Sequence, residues 1–142
     1  MPDKKELQEK AMVYQILQNR LESMAKQRDL LLQRIVEINS TIESIKELKK
    51  GKDEILFPLG SNSYTFGKMT SNKMIVEIGA GVALEKTPEE AEKILEDRMK
   101  EVESVIKNVQ DQMVQTANRL EILAPELESM VDDRNDEHLE GG

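Results

Sequence analysis

The sequence contains 142 residues, of which 34% are charged and 3% aromatic, and this is too little bulky apolar material for a globular core of that size. A net charge of −8 disfavours direct binding to nucleic acid, and the absence of cysteine excludes disulfides and thiolate metal sites. No apolar stretch approaches the length that spans a bilayer, and the N-terminus lacks the apolar run of a signal peptide. We therefore expect an elongated, soluble, cytoplasmic protein.

Residues 1–51 are predicted to form a long coiled-coil helix, because apolar side chains recur at heptad spacing over six heptads. Ten of the thirteen a and d positions, here called the seam, are apolar. The thirteen positions hold Leu7, Lys10, Tyr14, Leu17, Leu21, Met24, Arg28, Leu31, Ile35, Ile38, Ile42, Ile45 and Lys49. Gly51 follows two lysines and predicts the C-terminal end of the helix.

Residues 52–86 are predicted to form two β-hairpins, because only here do apolar residues alternate with a period of two. On the first hairpin, Ile55, Phe57 and Leu59 share one face of a strand, and Tyr64 and Phe66 lie on the return strand. On the second, Met74, Val76 and Ile78 precede a glycine-containing turn, and Val82 and Leu84 follow it. Short strands with unpaired edges are unstable alone, so these ten residues are predicted to mediate oligomerisation.

A second coiled-coil helix is predicted for residues 87–131. Thr87 is a suitable N-cap, Pro88 suits the first helical position, and Glu90 completes a capping box. The seam of this helix holds Leu95, Met99, Val102, Ile106, Val109, Met113, Thr116, Leu120, Leu123, Leu127 and Met130. Both helices therefore present an apolar stripe that needs a partner.

The two helices are predicted to pair with each other in antiparallel fashion, because the hairpins return the chain to its starting side. With Gly51 opposite Thr87, residue i faces roughly residue 138 minus i, since 51 plus 87 is 138. Pro125 removes a helical hydrogen bond, so the seam is expected to loosen near it. Several apolar residues near the free ends, namely Met12, Val13, Ile16 and Ile122, lie off the seam. These ends are therefore predicted to expose apolar surface to water.

Residues 132–142 are acidic and have almost nothing to bury, so they are predicted to form a disordered tail. His138 is the only histidine and lies in this segment without a second metal ligand. No nucleophile stands beside a base in any recognisable pattern. We therefore expect no catalytic residue, no metal, no cofactor and no enzymatic activity.

Two stretches of the predicted head resemble the α-class subunit of prefoldin, a hexameric chaperone of archaea and eukaryotes. They are FPLGSNSYTFGKM at residues 57–69 and KMIVEIGAGVALEKTPEEAEKIL at residues 73–95. Within the second stretch, residues 76–91 (VEIGAGVALEKTPEEA) carry most of the specificity, because they join the last strand to the helix start in the family's spacing. Two hairpins are typical of the α class, and the chain is similar to its archaeal form. Pro125 and the Gly-Gly terminus depart from the family pattern.

The resemblance implies a mainly α fold of the α+β class, in which a long antiparallel two-helix coiled coil is joined by hairpins that form a β-barrel head. It implies partners as well, namely a second α subunit, four β-class subunits, unfolded client proteins and a group II chaperonin. Clients are expected to bind, without ATP, at the coiled-coil tips. The residues predicted for client binding are Leu7, Ala11, Met12, Val13, Ile16, Ile122, Leu127 and Met130.

An alternative stays open, in which the hairpin of helices is a structural spacer or a filament-forming subunit that binds no client. Met12 illustrates the choice, because its flexible thioether suits a client contact but also fits an incidental surface residue. A pure spacer is expected to carry polar side chains at the off-seam positions near the helix ends.

Overall fold

A computed structural model of the chain describes residues 3–51 and 54–140, with side-chain surroundings described as far as Asp133. The elements in chain order are α1 (Lys4–Lys49), β1 (Ile55–Gly60), β2 (Ser63–Gly67), β3 (Met74–Gly79), β4 (Val82–Lys86) and α2 (Pro88–Glu140). The chain divides into two compact units. The arm unit comprises residues up to Leu32 and from Ser104 onward, and the hairpin unit comprises Gln33–Glu103. The predicted order of helix, two hairpins and helix is confirmed.

In the arm unit, the beginning of α1 lies antiparallel to the later part of α2. Its buried residues are the predicted seam residues Leu17, Met24, Ile106, Val109, Thr116 and Met130. Lys10 Nζ lies 3.2 Å from Glu126 Oε2, and the predicted pairing sets residue 10 opposite residue 128. The heptad pattern alone therefore gave the partner helix, its direction and its register to within about two residues.

In the hairpin unit, the end of α1 packs on the start of α2 through Ile38, Ile42, Ile45, Ala91 and Val102, all buried. An ion pair closes this packing, because Lys49 Nζ lies 2.9 Å from Glu92 Oε2 and 3.7 Å from Glu89 Oε1. The predicted pairing places residue 49 opposite residue 89, in agreement with this contact. Lys49 therefore occupies its seam position as a cation facing two carboxylates rather than as a packed side chain.

The predicted helix boundaries near the hairpins are confirmed by their capping geometry. The backbone N–H of Glu90 donates to Thr87 Oγ1 at 3.2 Å, and the Thr87 hydroxyl donates to Glu90 Oε1 at 3.1 Å. Thr87 is thus the N-cap of α2. Gly51 follows α1 with a φ of +68°, the left-handed conformation in which a helix commonly ends at glycine.

The second helix ends later than predicted, since α2 continues through Pro125 to Glu140 and so includes the segment expected to be disordered from residue 132. Extending an existing helix orders one residue per added hydrogen bond and needs no apolar side chain, which explains the difference. The seam does not open beyond Pro125, because Met130 is 8% exposed. The described part of the chain excludes Gly141 and Gly142. It also excludes the side chains of residues 134–140, which include His138.

The four strands form two separate antiparallel two-stranded sheets. Hairpin 1 is β1 with β2, and hairpin 2 is β3 with β4. Their two-residue turns place both central residues at positive φ, Ser61 and Asn62 in hairpin 1 and Ala80 and Gly81 in hairpin 2, which is the type I′ geometry that suits strand twist. Within the described residues of this one chain, the hairpins do not close into a barrel.

Candidate client-binding and assembly surfaces

The arm unit carries an apolar patch beside its seam, here called the arm patch and defined as Met12, Val13, Ile16 and Ile122. Met12 and Ile16 are four residues apart, and Val13 and Ile16 three apart, so the three share one face of α1. Met12 is 65% exposed and Ile122 67% exposed, whereas the neighbouring seam residue Leu17 is 3% exposed. The predicted exposure of these four side chains is thus observed.

The predicted register sets Ile122 opposite Ile16 on the two helices. Leu120 lines one groove together with α1 residues between Gln15 and Ala25, which is consistent with that register. Both helices therefore contribute to the arm patch.

The other predicted client-binding residues differ in how much surface they offer. Ala11 is exposed, and Leu7 and Leu127 are half-buried in the seam. Met130 is buried, since it is a seam residue that packs against α1, so it is not available at the surface. Val131, next to Met130, is exposed. It is an apolar residue off the seam, like those of the arm patch, but the predicted client-binding set does not include it.

Further exposed apolar side chains lie elsewhere on the arm unit, outside the arm patch. Leu30, Leu32, Val105 and Val114 are the large ones, and no pattern in the sequence singled them out. They occupy positions away from the ends of the helices and provide an internal comparison for the arm patch.

A charged cluster sits on the seam close to the arm patch. Lys10 forms ion pairs with Glu126 across the helices and with Glu6 one turn earlier, at 3.6 Å. The hydrogen bond to Glu126 is the main cause that raises the pKa of Lys10 above its usual value. Lys10 therefore stays protonated at neutral pH and links the two helices at the seam position beside Pro125.

The hairpins expose most of the residues predicted for oligomerisation. Half-buried positions are Ile55, Phe57, Met74 and Val76, and exposed ones are Leu59, Tyr64, Phe66, Ile78, Val82 and Leu84. Exposed large apolar side chains in this number are typical of a segment that contacts another protein.

The register of hairpin 1 distributes its apolar residues over both faces. Phe66 lies directly opposite Leu56, and Tyr64 opposite Pro58. Residues directly opposite in an antiparallel pair share a face, so Tyr64 and Phe66 lie on the face that Ile55 and Phe57 do not occupy. Leu56 is exposed there and was missed, because the alternation was counted from Ile55.

On the other face of hairpin 1, the Phe57 ring covers Gly67, where an added Cβ would come within 2.9 Å of the ring.

In hairpin 2, Val76 lies opposite Leu84, which puts the predicted apolar residues of β3 and β4 on one face. Arg98 of α2 donates a hydrogen bond to the carbonyl oxygen of Glu77, so β3 is tied to the start of α2.

These features define a class of protein: two long helices with heptad seams, joined by two β-hairpins that expose apolar side chains. The description of the family model that matches residues 17–132 is "Prefoldin subunit". Within the described residues, neither helix is long and apolar enough to cross a membrane.

The relatives agree with this match. Prefoldin subunit alpha of Pyrococcus horikoshii is 34% identical over 120 residues, which cover 82% of this chain and 81% of the relative. Prefoldin subunit alpha of Nitrosopumilus maritimus is 36% identical over 109 residues, covering 75% of each. A chain of the cryo-EM structure of filamentous PFD from Methanocaldococcus jannaschii shares the fold, with a TM-score of 0.67 at 24% identity, and covers 84% of this chain and 98% of its own. The chain belongs to the prefoldin family, whose members are chaperone subunits.

Proposed function

We propose that this chain is the α-class subunit of a hexameric prefoldin that contains two copies of it and four β-class subunits. In this assembly it binds unfolded proteins without ATP and passes them to a group II chaperonin in the cytoplasm. The similarity to archaeal α subunits supports the class of subunit. The arm patch is the single observation that supports client binding most strongly.

Assembly is assigned to the hairpin unit because its strands have unpaired edges and exposed apolar faces. A strand edge of one chain pairs readily with a strand of another through backbone hydrogen bonds. Two-stranded hairpins are at best marginally stable alone, so pairing with hairpins of partner subunits stabilises both sides. A barrel closed from several subunits removes these edges, which is the head that the proposal requires.

Client binding is assigned to the arm patch because its side chains remain in water after the seam has formed. Each of them contributes roughly 1–2 kcal/mol when an apolar client group covers it, at about 25 cal/mol per Å² of apolar area. One arm alone binds weakly. Several arms linked in one particle gain a further factor of about 10²–10⁴ through multivalency, without any deep pocket.

The test compares two sets of substitutions of exposed apolar residues, one inside and one outside the arm patch. In the first, Met12→Ser, Ile16→Ser and Ile122→Ser are combined, and in the control Leu30→Ser and Val114→Ser are combined. Each variant is assembled with β-class prefoldin and assayed for suppression of aggregation of a chemically unfolded protein, with light scattering as the readout. We expect both particles to form, and only the arm-patch variant to lose protection.

Equal protection by both variants would favour the alternative of a structural spacer over a client-binding arm. Equal loss in both would place client binding along the whole arm rather than at the arm patch.

A further inference from the structure

One methionine differs from the others in its surroundings. Met12 is 65% exposed, whereas Met24 is 7% and Met130 8% exposed, because these two pack in the seam. The remaining methionines whose surroundings the structure describes are half-buried, namely Met69, Met74, Met99 and Met113. Among the described residues, Met12 is therefore the methionine whose side chain is most open to solvent.

Met12 is exposed because of its place in the heptad. It comes two residues after the seam residue Lys10 and two before the seam residue Tyr14. Two residues correspond to a rotation of about 200° around an α-helix, so the Met12 side chain is directed away from α2. A chemical change in this side chain is therefore expected to leave the pairing of α1 with α2 intact.

A thioether in water reacts with hydroperoxides by oxygen transfer. The sulfur lone pair attacks the outer peroxide oxygen, an S–O bond forms as the O–O bond breaks, and the departing oxygen takes up the proton of the transferred OH group. The sulfur is oxidised by two electrons, and the hydroperoxide is reduced to water or to an alcohol. The product, methionine sulfoxide, is polar and can be reduced enzymatically to methionine.

Oxidation changes the contribution that Met12 makes to the arm patch. The other members, Val13, Ile16 and Ile122, have hydrocarbon side chains that do not react with hydroperoxides. A sulfoxide oxygen accepts hydrogen bonds from water, and an apolar client group that covers it removes these bonds at a cost in free energy. Oxidised Met12 therefore opposes the burial that an unmodified Met12 favours.

We propose that Met12 is a methionine-oxidation site, and that its sulfoxide weakens client binding at the arm patch while the coiled coil stays folded. This inference rests on the proposed function, because it assigns a redox control to the same surface. The oxidant is a hydroperoxide. Reduction of the sulfoxide restores the apolar side chain, so the change is reversible.

The buried methionines show why the position matters. Met24 and Met130 are seam residues, and a sulfoxide at either would place a polar oxygen between the helices and destabilise the coiled coil. Their side chains are covered in the folded chain, so a hydroperoxide reaches them only when the helices open locally. Met12 reacts without that opening, and its oxidation is therefore separated from unfolding.

The first experiment measures where oxygen is added. The full-length chain is assembled with β-class prefoldin, treated briefly with hydrogen peroxide, digested with trypsin and analysed by mass spectrometry. Cleavage after Lys10 and Arg20 isolates Met12 in the peptide of residues 11–20, and Met24 and Met130 fall in separate peptides. We expect the Met12 peptide to gain the mass of one oxygen atom while the other two stay unmodified. Equal rates of oxidation at Met12 and Met24 would overturn the inference, whatever the function of the chain.

The second experiment links oxidation to client binding. Met12→Leu provides an apolar side chain of similar volume that peroxide does not oxidise. The double variant Met12→Leu/Val114→Met instead carries its exposed methionine outside the arm patch, because Val114 is 60% exposed. For each particle, suppression of aggregation of a chemically unfolded protein is measured before and after peroxide treatment, and the two values are expressed as a ratio. All particles contain the same β-class subunit, so oxidation of that subunit affects every ratio alike.

We expect the ratio to fall for the unaltered particle and to fall less for both variants. Covering one patch side chain changes the affinity of an arm for a client by about 5- to 30-fold, so the particle concentration that gives half protection should rise several-fold after oxidation. Methionine sulfoxide reductase with a thiol reductant should restore the original value. Circular dichroism of the treated particle should show unchanged helix content.

A fall of equal size in the unaltered particle and in either variant would overturn the inference while leaving the proposed function intact. Loss of helix content in the treated particle would overturn it as well, because weaker protection would then follow from unfolding. If the unaltered, untreated particle gives no protection, the proposed function fails and the inference fails with it.

Discussion

The arm unit and the hairpin unit differ in whether their apolar residues are buried within the single chain. On the arms the apolar stripe of each helix is covered by the other helix, so Leu17 and Val109 are buried within a single chain. On the hairpins the apolar residues are half-buried or exposed, and Phe66 is 70% exposed. The arms bury their apolar stripe within one chain, whereas the hairpins leave apolar side chains uncovered, and the proposed function assigns these to contacts with other subunits. Among the apolar side chains that stay exposed on the arms, the arm patch is the group on which the proposed function depends.

The largest effect is expected where the hairpins are disabled. Val76→Asp places a carboxylate opposite Leu84 on the face assigned to the barrel interior, and burying an unpaired charge costs several kcal/mol. We expect size-exclusion chromatography with light scattering to show separated subunits in the presence of the β-class partner. The Ile75→Lys control lies on the opposite, exposed face of the same strand, across from Glu85, and should assemble. A hexamer formed by Val76→Asp would show that this face is not the interior of the head.

The next largest effect is a difference in the free energy of unfolding between substitutions of two neighbouring residues of α1. Leu17→Ala opens a cavity in the seam and is expected to lower the free energy of unfolding by about 2–5 kcal/mol. Ile16→Ala removes a half-exposed side chain of similar size and should change it by less than about 0.5 kcal/mol. Chemical denaturation followed by circular dichroism measures both. Similar losses for the two variants would mean that the seam and the arm patch are not distinct surfaces.

A smaller effect is expected at the junction of hairpin 2 and α2. Thr87→Ala removes the N-cap bond to Glu90 and should cost on the order of 1 kcal/mol. Thr41→Ala is the control, because the Thr41 hydroxyl donates to the Glu37 carbonyl in mid-helix, where alanine is at least as favourable. The midpoint of the thermal melt is measured for both variants and is expected to fall only for Thr87→Ala. An unchanged midpoint for Thr87→Ala would count against the cap.

The sequence was most informative where one periodic signal decides the structure. The heptad pattern identified the seam and its register, and Thr87 and Gly51 marked helix boundaries, because capping depends on residue type and local backbone geometry. The alternation of apolar residues likewise identified all four strands. In each case the physical cause acts over a few neighbouring residues.

What the sequence did not reveal depends on longer-range or collective terms. The face that Tyr64 and Phe66 share with Leu56 is set by the turn type and by the irregularity next to Gly60, and a change of one residue in register reverses every side chain. The end of α2 depends on helix propagation rather than on apolar content. Met130 was assigned to both the seam and the client site, and its packing resolved that conflict in favour of the seam.

The account assigns assembly to the hairpins and client binding to the arm ends, and the most direct test of this removes the arm ends. A chain lacking residues 1–16 and 122–142 keeps the hairpins and the seam from Leu17 to Leu120, but loses the arm patch. Assembled with the β-class subunit, it is expected to form a particle of the full subunit count and to suppress aggregation of an unfolded protein far less than the full-length complex. A truncated particle that assembles and protects as well as the full-length complex would contradict the assignment of client binding to the arm ends.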